Sequence, residues 1–248
     1  MERLKARKNL NFGEVVMGRI VAISSGDLES TKAINEYAVK MLSSVSKNVL
    51  FIGTASNDAD GYIENITVAF SQMDCQVKSL QLATQIYNSE EIKEIVSWAD
   101  IIYVGGGDTI FMMNIWKRYG LDTILKDVYQ NDEAILMGIS AGAICWFDCG
   151  CTDSELAIVR EGATYGWAND MLNIHNYAYC PHYEDRVEDF EMLMKEKNIN
   201  GLAMESNTAF VEENGKIYYI KSSEESKAYI FKCENGKFEK EEISSTLV

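Results

Sequence analysis

Short apolar runs recur along the chain at wide intervals: "RIVAIS" (19–24), "NVLFIGT" (48–54), "CQVKSLQL" (75–82), "DIIYVGGG" (100–107) and "AILMGIS" (134–140). Runs of this length, apolar on both faces, predict buried parallel strands. Between them lie stretches with helical periodicity: "TKAINEYAVKMLSSV" (31–45), "GYIENITVAFSQM" (61–73), "SEEIKEIVSWA" (89–99) and "IFMMNIWKRYG" (110–120). Strands that alternate with helices require right-handed crossovers and a sheet covered on both faces. The expected fold is therefore a three-layer α/β/α sandwich around a mostly parallel, doubly wound sheet. After about residue 207 the pattern changes to "TAFVEENGKIYYI" and "KAYIFKCENGKFEK", alternating runs with Glu-Asn-Gly turns that predict antiparallel hairpins at the sheet edge. No repeat, low-complexity stretch or linker divides the 248 residues, so one domain over 1–248 is expected, with 1–17 as an N-terminal extension.

In a doubly wound sheet, functional groups gather at the carboxyl ends of the strands. Two such ends stand out. Gly138-Ile-Ser140-Ala-Gly142 matches the G-x-S-x-G turn between a strand and a helix, here a helix expected over 141–147, where a serine is held in a strained pose with its hydroxyl exposed. Gly105-Gly-Gly107 presents backbone N–H groups after the preceding strand, suited to a phosphate or to a tetrahedral oxyanion. Asp108 directly behind the glycines disfavours a phosphate, so Gly107 N–H and Ala141 N–H are the expected oxyanion donors.

A nucleophilic serine needs a base. The chain has two histidines. His182, in "YAYCPHYED", follows a strand-like run at another carboxyl end; His175 lies earlier on that run or at its entry. Candidates for an orienting acid are Asp153, Glu155, Glu184, Asp185 and Glu205. Glu205, after "INGLAM", is slightly favoured by its place at a strand end, whereas Glu184 and Asp185 read as solvated residues opening a helix over 184–197.

Composition narrows the function. A net charge of −15 with no Lys/Arg block argues against nucleic acid or an anionic membrane as partner. No apolar stretch has the length of a membrane span and the polar N-terminus lacks a signal-peptide core, so a cytoplasmic location is expected. Six cysteines without a C-x-x-C pair and only two histidines make a metal site unlikely on spacing grounds; Cys149-Gly-Cys151 is a weak redox pair. A dinucleotide site is weaker still, since "VGGGDTIF" lacks the G-x-G-x-x-G spacing.

The segments "IIYVGGGDT", "GISAGA", "YCPHYED" and "GLAMESNTAFVEENGK", in that order and spanning about Gly18 to Tyr219, resemble the peptidase E and cyanophycinase family of serine peptidases, which has the class I glutamine amidotransferase-like fold. The resemblance implies Ser140 as nucleophile, His182 as base, Glu205 as third member with Asp153 as competitor, Gly107 and Ala141 at the oxyanion, and no metal or organic cofactor. The order Ser, His, Glu departs from the α/β-hydrolases, whose acid precedes the histidine. It also implies a small aspartyl-containing peptide as substrate. A carboxylate calls for an arginine, and Arg160 is the candidate, with Asp108 and Asp153 as further substrate-site residues. The segment 160–176 departs from the family pattern and reads as a substrate-covering loop. The alternative is a non-catalytic ligand-binding or regulatory protein on the same fold. The C-terminal hairpins offer an edge for a homo-oligomer, although their Lys/Glu-rich faces guard against pairing.

Overall fold

A computed structural model describes residues 18–43, 47–158, 164–234 and 237–248. The N-terminal extension 1–17 and Arg160 lie outside the described residues. The five apolar runs form β1 (Arg19–Ile23), β2 (Asn48–Ile52), β3 (Gln76–Leu80), β4 (Ile101–Val104) and β5 (Ile135–Ile139), all parallel in the spatial order β1-β5-β4-β2-β3. The intervening periodic stretches form α1 (Lys32–Lys40), α2 (Asp60–Ser71), α3 (Ser89–Ser97) and α4 (Thr109–Tyr119); α5 (Leu121–Gln130) follows a left-handed Gly120.

Alternation along the strands separates two cores. Val21 and Ile23 join α1 and α2 on one face, while Ile20 and Ala22 join α3, α4 and α5 on the other. The helix expected over 141–147 is a single turn, α6 (Ala141–Ile144), because the chain then enters a second sheet at β6 (Phe147–Thr152). Gly150 of β6 lies against α6: a Cβ there would meet the Ile144 side chain at 2.5 Å.

This second, six-stranded sheet is the main addition to the expected architecture. It contains β6, β7 (Gly166–Ala168), β8 (His175–Cys180), β9 (Gly201–Met204), β12 (Ala228–Glu234) and β13 (Lys237–Ile243), in the order β13-β12-β9-β8-β6-β7. The first C-terminal hairpin, β10 (Thr208–Glu213) and β11 (Lys216–Lys221), pairs antiparallel with β1 at the edge of the large sheet, where β14 (Thr246–Leu247) adds to β11. The second hairpin extends β9 in the small sheet instead. Helix α7 (Tyr183–Met194) covers the outer face of that sheet through Tyr183, Phe190, Leu193 and Met194.

The sheets are joined by direct packing. Phe147 stacks on Tyr179 with centroids 4.3 Å apart and meets Phe210 of β10 edge-on at 5.4 Å. At the end remote from the strand carboxyl ends, buried Glu212 accepts hydrogen bonds on one oxygen from His175 Nε2 and Tyr129 Oη, both at 2.9 Å. That carboxylate links β8, β10 and α5. Glu212→Ala leaves two partly buried donors without an acceptor and is expected to cost about 3 kcal/mol. Urea unfolding measures this; a loss below about 1 kcal/mol would contradict the role given to the carboxylate.

Candidate active site

Ser140 sits between β5 and α6 with φ 55° and ψ −115°, a left-handed conformation that a non-glycine residue adopts only when its surroundings enforce it. The flanking glycines make room for that. A Cβ on Gly138 would lie 2.1 Å from the Gly142 carbonyl oxygen, and one on Gly142 would lie 2.2 Å from that of Val104. The Ser140 N–H is shared by the carbonyls of Ile23 and Ser24, both at 3.1 Å, which fixes the turn to the end of β1.

His182 follows β8 through Pro181 and precedes α7, also with positive φ, 52°. Its Nε2 lies 2.9 Å from Ser140 Oγ, the geometry for the hydroxyl to donate to the ring nitrogen. The backbone N–H of His182 donates to Ser24 Oγ at 2.9 Å. Burial holds the imidazole below its ordinary pKa, and the Arg186 guanidinium adds to this; Glu184, Asp153 and Asp185 push it back up. The imidazole is thus biased toward the neutral form, which can accept a proton.

The glycine loop after β4 approaches from the other side. Gly106 is packed against Ser140, such that a Cβ on it would stand 3.3 Å from Ser140 Cβ. Gly107 has φ 139° and leaves no room for a side chain, since Ala55 O would be 2.1 Å from its Cβ. Among the described residues neither Gly107 N–H nor Ala141 N–H has a hydrogen-bond partner, so both remain free to meet an oxyanion. Asp108 caps α4 by accepting from Phe111 N at 2.9 Å, and also accepts from Ser154 Oγ at 2.6 Å. That pair ties the glycine loop to the segment after β6.

A cleft of about 620 Å³ brings Gly107, Asp108, Ser140, Asp153 and His182 together. Glu155, Tyr165, Asp185 and Arg186 complete the part of its wall that matters for charge. Among the described residues, four carboxylates and one guanidinium therefore line the cleft. Arg186 is 5% exposed, donates from Nη1 to Cys151 O at 2.7 Å, and lies 4.6 Å from the centre of the Tyr165 ring; its Nε has no partner among the described residues. Sequence reasoning missed it. It falls one helical turn after His182, and that spacing was the available signal.

Glu205 lies, as expected, just past β9, but its carboxylate accepts from Lys227 N at 2.8 Å and from Tyr229 Oη at 3.5 Å. No hydrogen bond among the described residues joins it to His182. Glu184, read from the sequence as a solvated helix-start residue, accepts from Ser206 N at 3.0 Å and from Ser206 Oγ, pinning α7 to the 205–207 turn. His175 opens β8 at the far end of the strand from His182. The segment expected as a covering loop is divided: Tyr165 reaches the cleft, whereas 166–168 form β7.

The remaining sequence candidates for chemistry do not converge. All six cysteines are free; burial pushes the Cys149 thiol up to about 12 and those of Cys145 and Cys180 well above the ordinary range, which leaves them unreactive. Among the described residues no group of three or more His, Cys, Asp or Glu is placed to hold a metal ion, and no helix is long and apolar enough to cross a membrane.

This arrangement, a half-buried serine on a strained elbow with a histidine in hydrogen-bond reach and two free amides beside it, is that of a serine hydrolase. The family model of peptidase family S51 matches residues 20–220, and the chain belongs to that family. It is 31% identical over 221 residues to the uncharacterized peptidase YgaJ of Bacillus subtilis, covering 86% of this chain and 91% of that one. Peptidase E of Shewanella denitrificans is 25% identical over 174 residues, covering 66% and 69% respectively. The crystal structure of a peptidase from an acI-B1 Actinobacterium shares the fold, with a TM-score of 0.67 at 16% identity over 95% of this chain and 100% of that one. The protein is a peptidase.

The electrostatics of the base give a test. If His182 serves as the base, activity falls as pH drops through its pKa, and the acid limb of kcat/KM is expected below the ordinary histidine value of 6.5. Glu184→Gln removes an anion that favours the imidazolium while keeping an acceptor for Ser206, and should move the limb further toward low pH. A limb that stays fixed or rises in that variant would contradict the assignment.

Proposed function

We propose that this serine peptidase hydrolyses short peptides through an acyl-enzyme on Ser140, and that it prefers an aspartyl residue on the acyl side of the cleaved bond. The observation that carries the reading is the 2.9 Å approach of Ser140 Oγ to His182 Nε2 on a positive-φ elbow. Oγ attacks the peptide carbonyl carbon as its proton passes to Nε2, and the carbonyl oxygen becomes an oxyanion between Gly107 N–H and Ala141 N–H. Collapse breaks the C–N bond, with the Nε2 proton going to the leaving amine. Water then attacks the ester, its proton is taken by Nε2 and returned to Oγ, and the acid product leaves.

Substrate preference follows from the charges of the cleft. An aspartyl dipeptide carries an ammonium group and a side-chain carboxylate. The carboxylates of Asp153, Glu155 and Asp185 suit the first, and Arg186, the described arginine on the cleft wall, suits the second by the planar fork of its guanidinium. With Glu205 engaged by Lys227 and Tyr229, the acid contribution to catalysis falls to the field of Glu184, Asp153 and Asp185 at His182.

The test is a panel of α-aspartyl, β-aspartyl, glutamyl and neutral dipeptides, followed by amine release. Wild type is expected to cleave aspartyl substrates and Ser140→Ala none. Arg186→Met should lower the ratio of kcat/KM for aspartyl over neutral substrates by about 100-fold, a readout independent of how much of the variant is folded. Cleavage by Ser140→Ala at the wild-type rate would refute the mechanism. An unchanged ratio in Arg186→Met would refute the specificity, and folded wild type inert on the whole panel would favour the ligand-binding alternative.

A further inference from the structure

We propose that Ser24 is the residue that positions the catalytic base, taking the role usually given to an acid hydrogen-bonded to the imidazole. The proposal rests on the Ser140–His182 mechanism above. Ser24 lies just past β1, is fully buried, and reaches three parts of the site at once. Its hydroxyl accepts the backbone N–H of His182 at 2.9 Å and donates to Met204 O, at the end of β9, at 2.6 Å. Its carbonyl accepts the N–H of the nucleophile Ser140 at 3.1 Å, and its own N–H donates to Thr208 O at 2.9 Å. The nucleophile belongs to the large sheet and the base to the small one, so their mutual position depends on what joins the two sheets at this end. Ser24 is hydrogen-bonded to both residues.

His182 needs such an anchor. It has left-handed backbone angles, φ 52° and ψ 41°, and stands at the cap of α7, where its N–H is outside the helical ladder. No hydrogen bond among the described residues reaches the second ring nitrogen. The carboxylates that a sequence reading offers for it are engaged or exposed: Glu205 with Lys227 and Tyr229, Glu184 with Ser206, and Asp153, Glu155 and Asp185 exposed. The ring direction is therefore inherited from the backbone, and the backbone is held by the Ser24 hydroxyl. Ser25 extends the same junction, with its Oγ 2.7 Å from Ser206 Oγ, which in turn donates to Glu184.

A buried serine that merely satisfied two backbone groups would affect stability and leave turnover per folded molecule unchanged. The experiment compares full-length wild type, Ser24→Ala and Ser24→Cys on the dipeptide that wild type cleaves best, with Ser140→Ala as control and the folded fraction measured by circular dichroism. Ser24→Ala is expected to lower kcat about 10- to 100-fold with KM within about twofold, the scale of a reacting group displaced by about 1 Å. Ser24→Cys, nearly isosteric with a weaker donor and acceptor, should fold where Ala does not and show a loss of kcat in the same direction. With only two histidines in the chain, proton NMR can follow the His182 ring: its titration, which Arg186, Glu184, Asp153 and Asp185 influence, should move toward the ordinary value in Ser24→Ala. A kcat per folded molecule within twofold of wild type in Ser24→Ala, or in Ser24→Cys if Ala does not fold, would overturn the proposal, as would an unmoved His182 titration. Residual cleavage by Ser140→Ala would instead overturn the mechanism on which it rests.

Discussion

The structure depends first on a steric constraint: a serine can be held at φ 55° only if the strand before it and the helical turn after it pass closer than side chains permit. Gly138 and Gly142 meet that condition with backbone contacts that a single methyl group would close to about 2 Å. The remainder of the site is arranged around the hydroxyl so presented. Gly106 fits against the serine Cβ, Gly107 lines the same cleft with a φ of 139°, and Ala141 opens a helix whose first amide has no internal partner. The strain at Ser140 is stored in a strand buried on both faces, where β1 and β4 flank β5 in parallel register.

A second constraint is that the proposed nucleophile and base come from different sheets. Ser140 ends a strand of the large sheet and His182 follows a strand of the small one, so the 2.9 Å contact between them requires a fixed relation of the two. The apolar layer of Phe147, Tyr179 and Phe210 supplies the bulk of that fixation, the Glu212 carboxylate secures one end, and the end of β1 secures the other. Rigid elements rather than loops thus hold the reacting groups, which suits a reaction sensitive to sub-ångström displacement. Among the described residues, the cleft above them combines the buried Arg186 guanidinium with the carboxylates of Asp108, Asp153, Glu155 and Asp185.

Much of this was legible in the sequence. Five apolar runs of strand length separated by amphipathic stretches define the parallel sheet without ambiguity, and a serine between glycines at a strand end marks the elbow. Pro181-His182 after a tyrosine-rich run could be placed at the same edge for the same reason. The second sheet was hidden because its strands are weak local signals: "FDCGCT" has small and polar residues where a strand usually shows branched ones, and "GLAM" is only four residues long. Both become strands through tertiary pairing. Glu205 illustrates a different limit. Its position at a strand end was read correctly from the apolar run before it, but which neighbour its carboxylate chooses depends on β12, distant in sequence. Arg186 shows in the sequence only as a spacing of one helical turn after His182, and Ser24 carries no such mark, since each acquires its surroundings only where separate segments converge.

The central claim is that Ser140 is activated by His182. The most direct measurement is covalent labelling with a fluorophosphonate, followed by digestion and mass analysis, on wild type and on His182→Ala shown to be folded. The account predicts one adduct, on the peptide that contains Ser140, and its loss when the histidine is removed. An unlabelled but folded wild type, an adduct on another serine, or labelling of Ser140 at the same rate without His182 would contradict it.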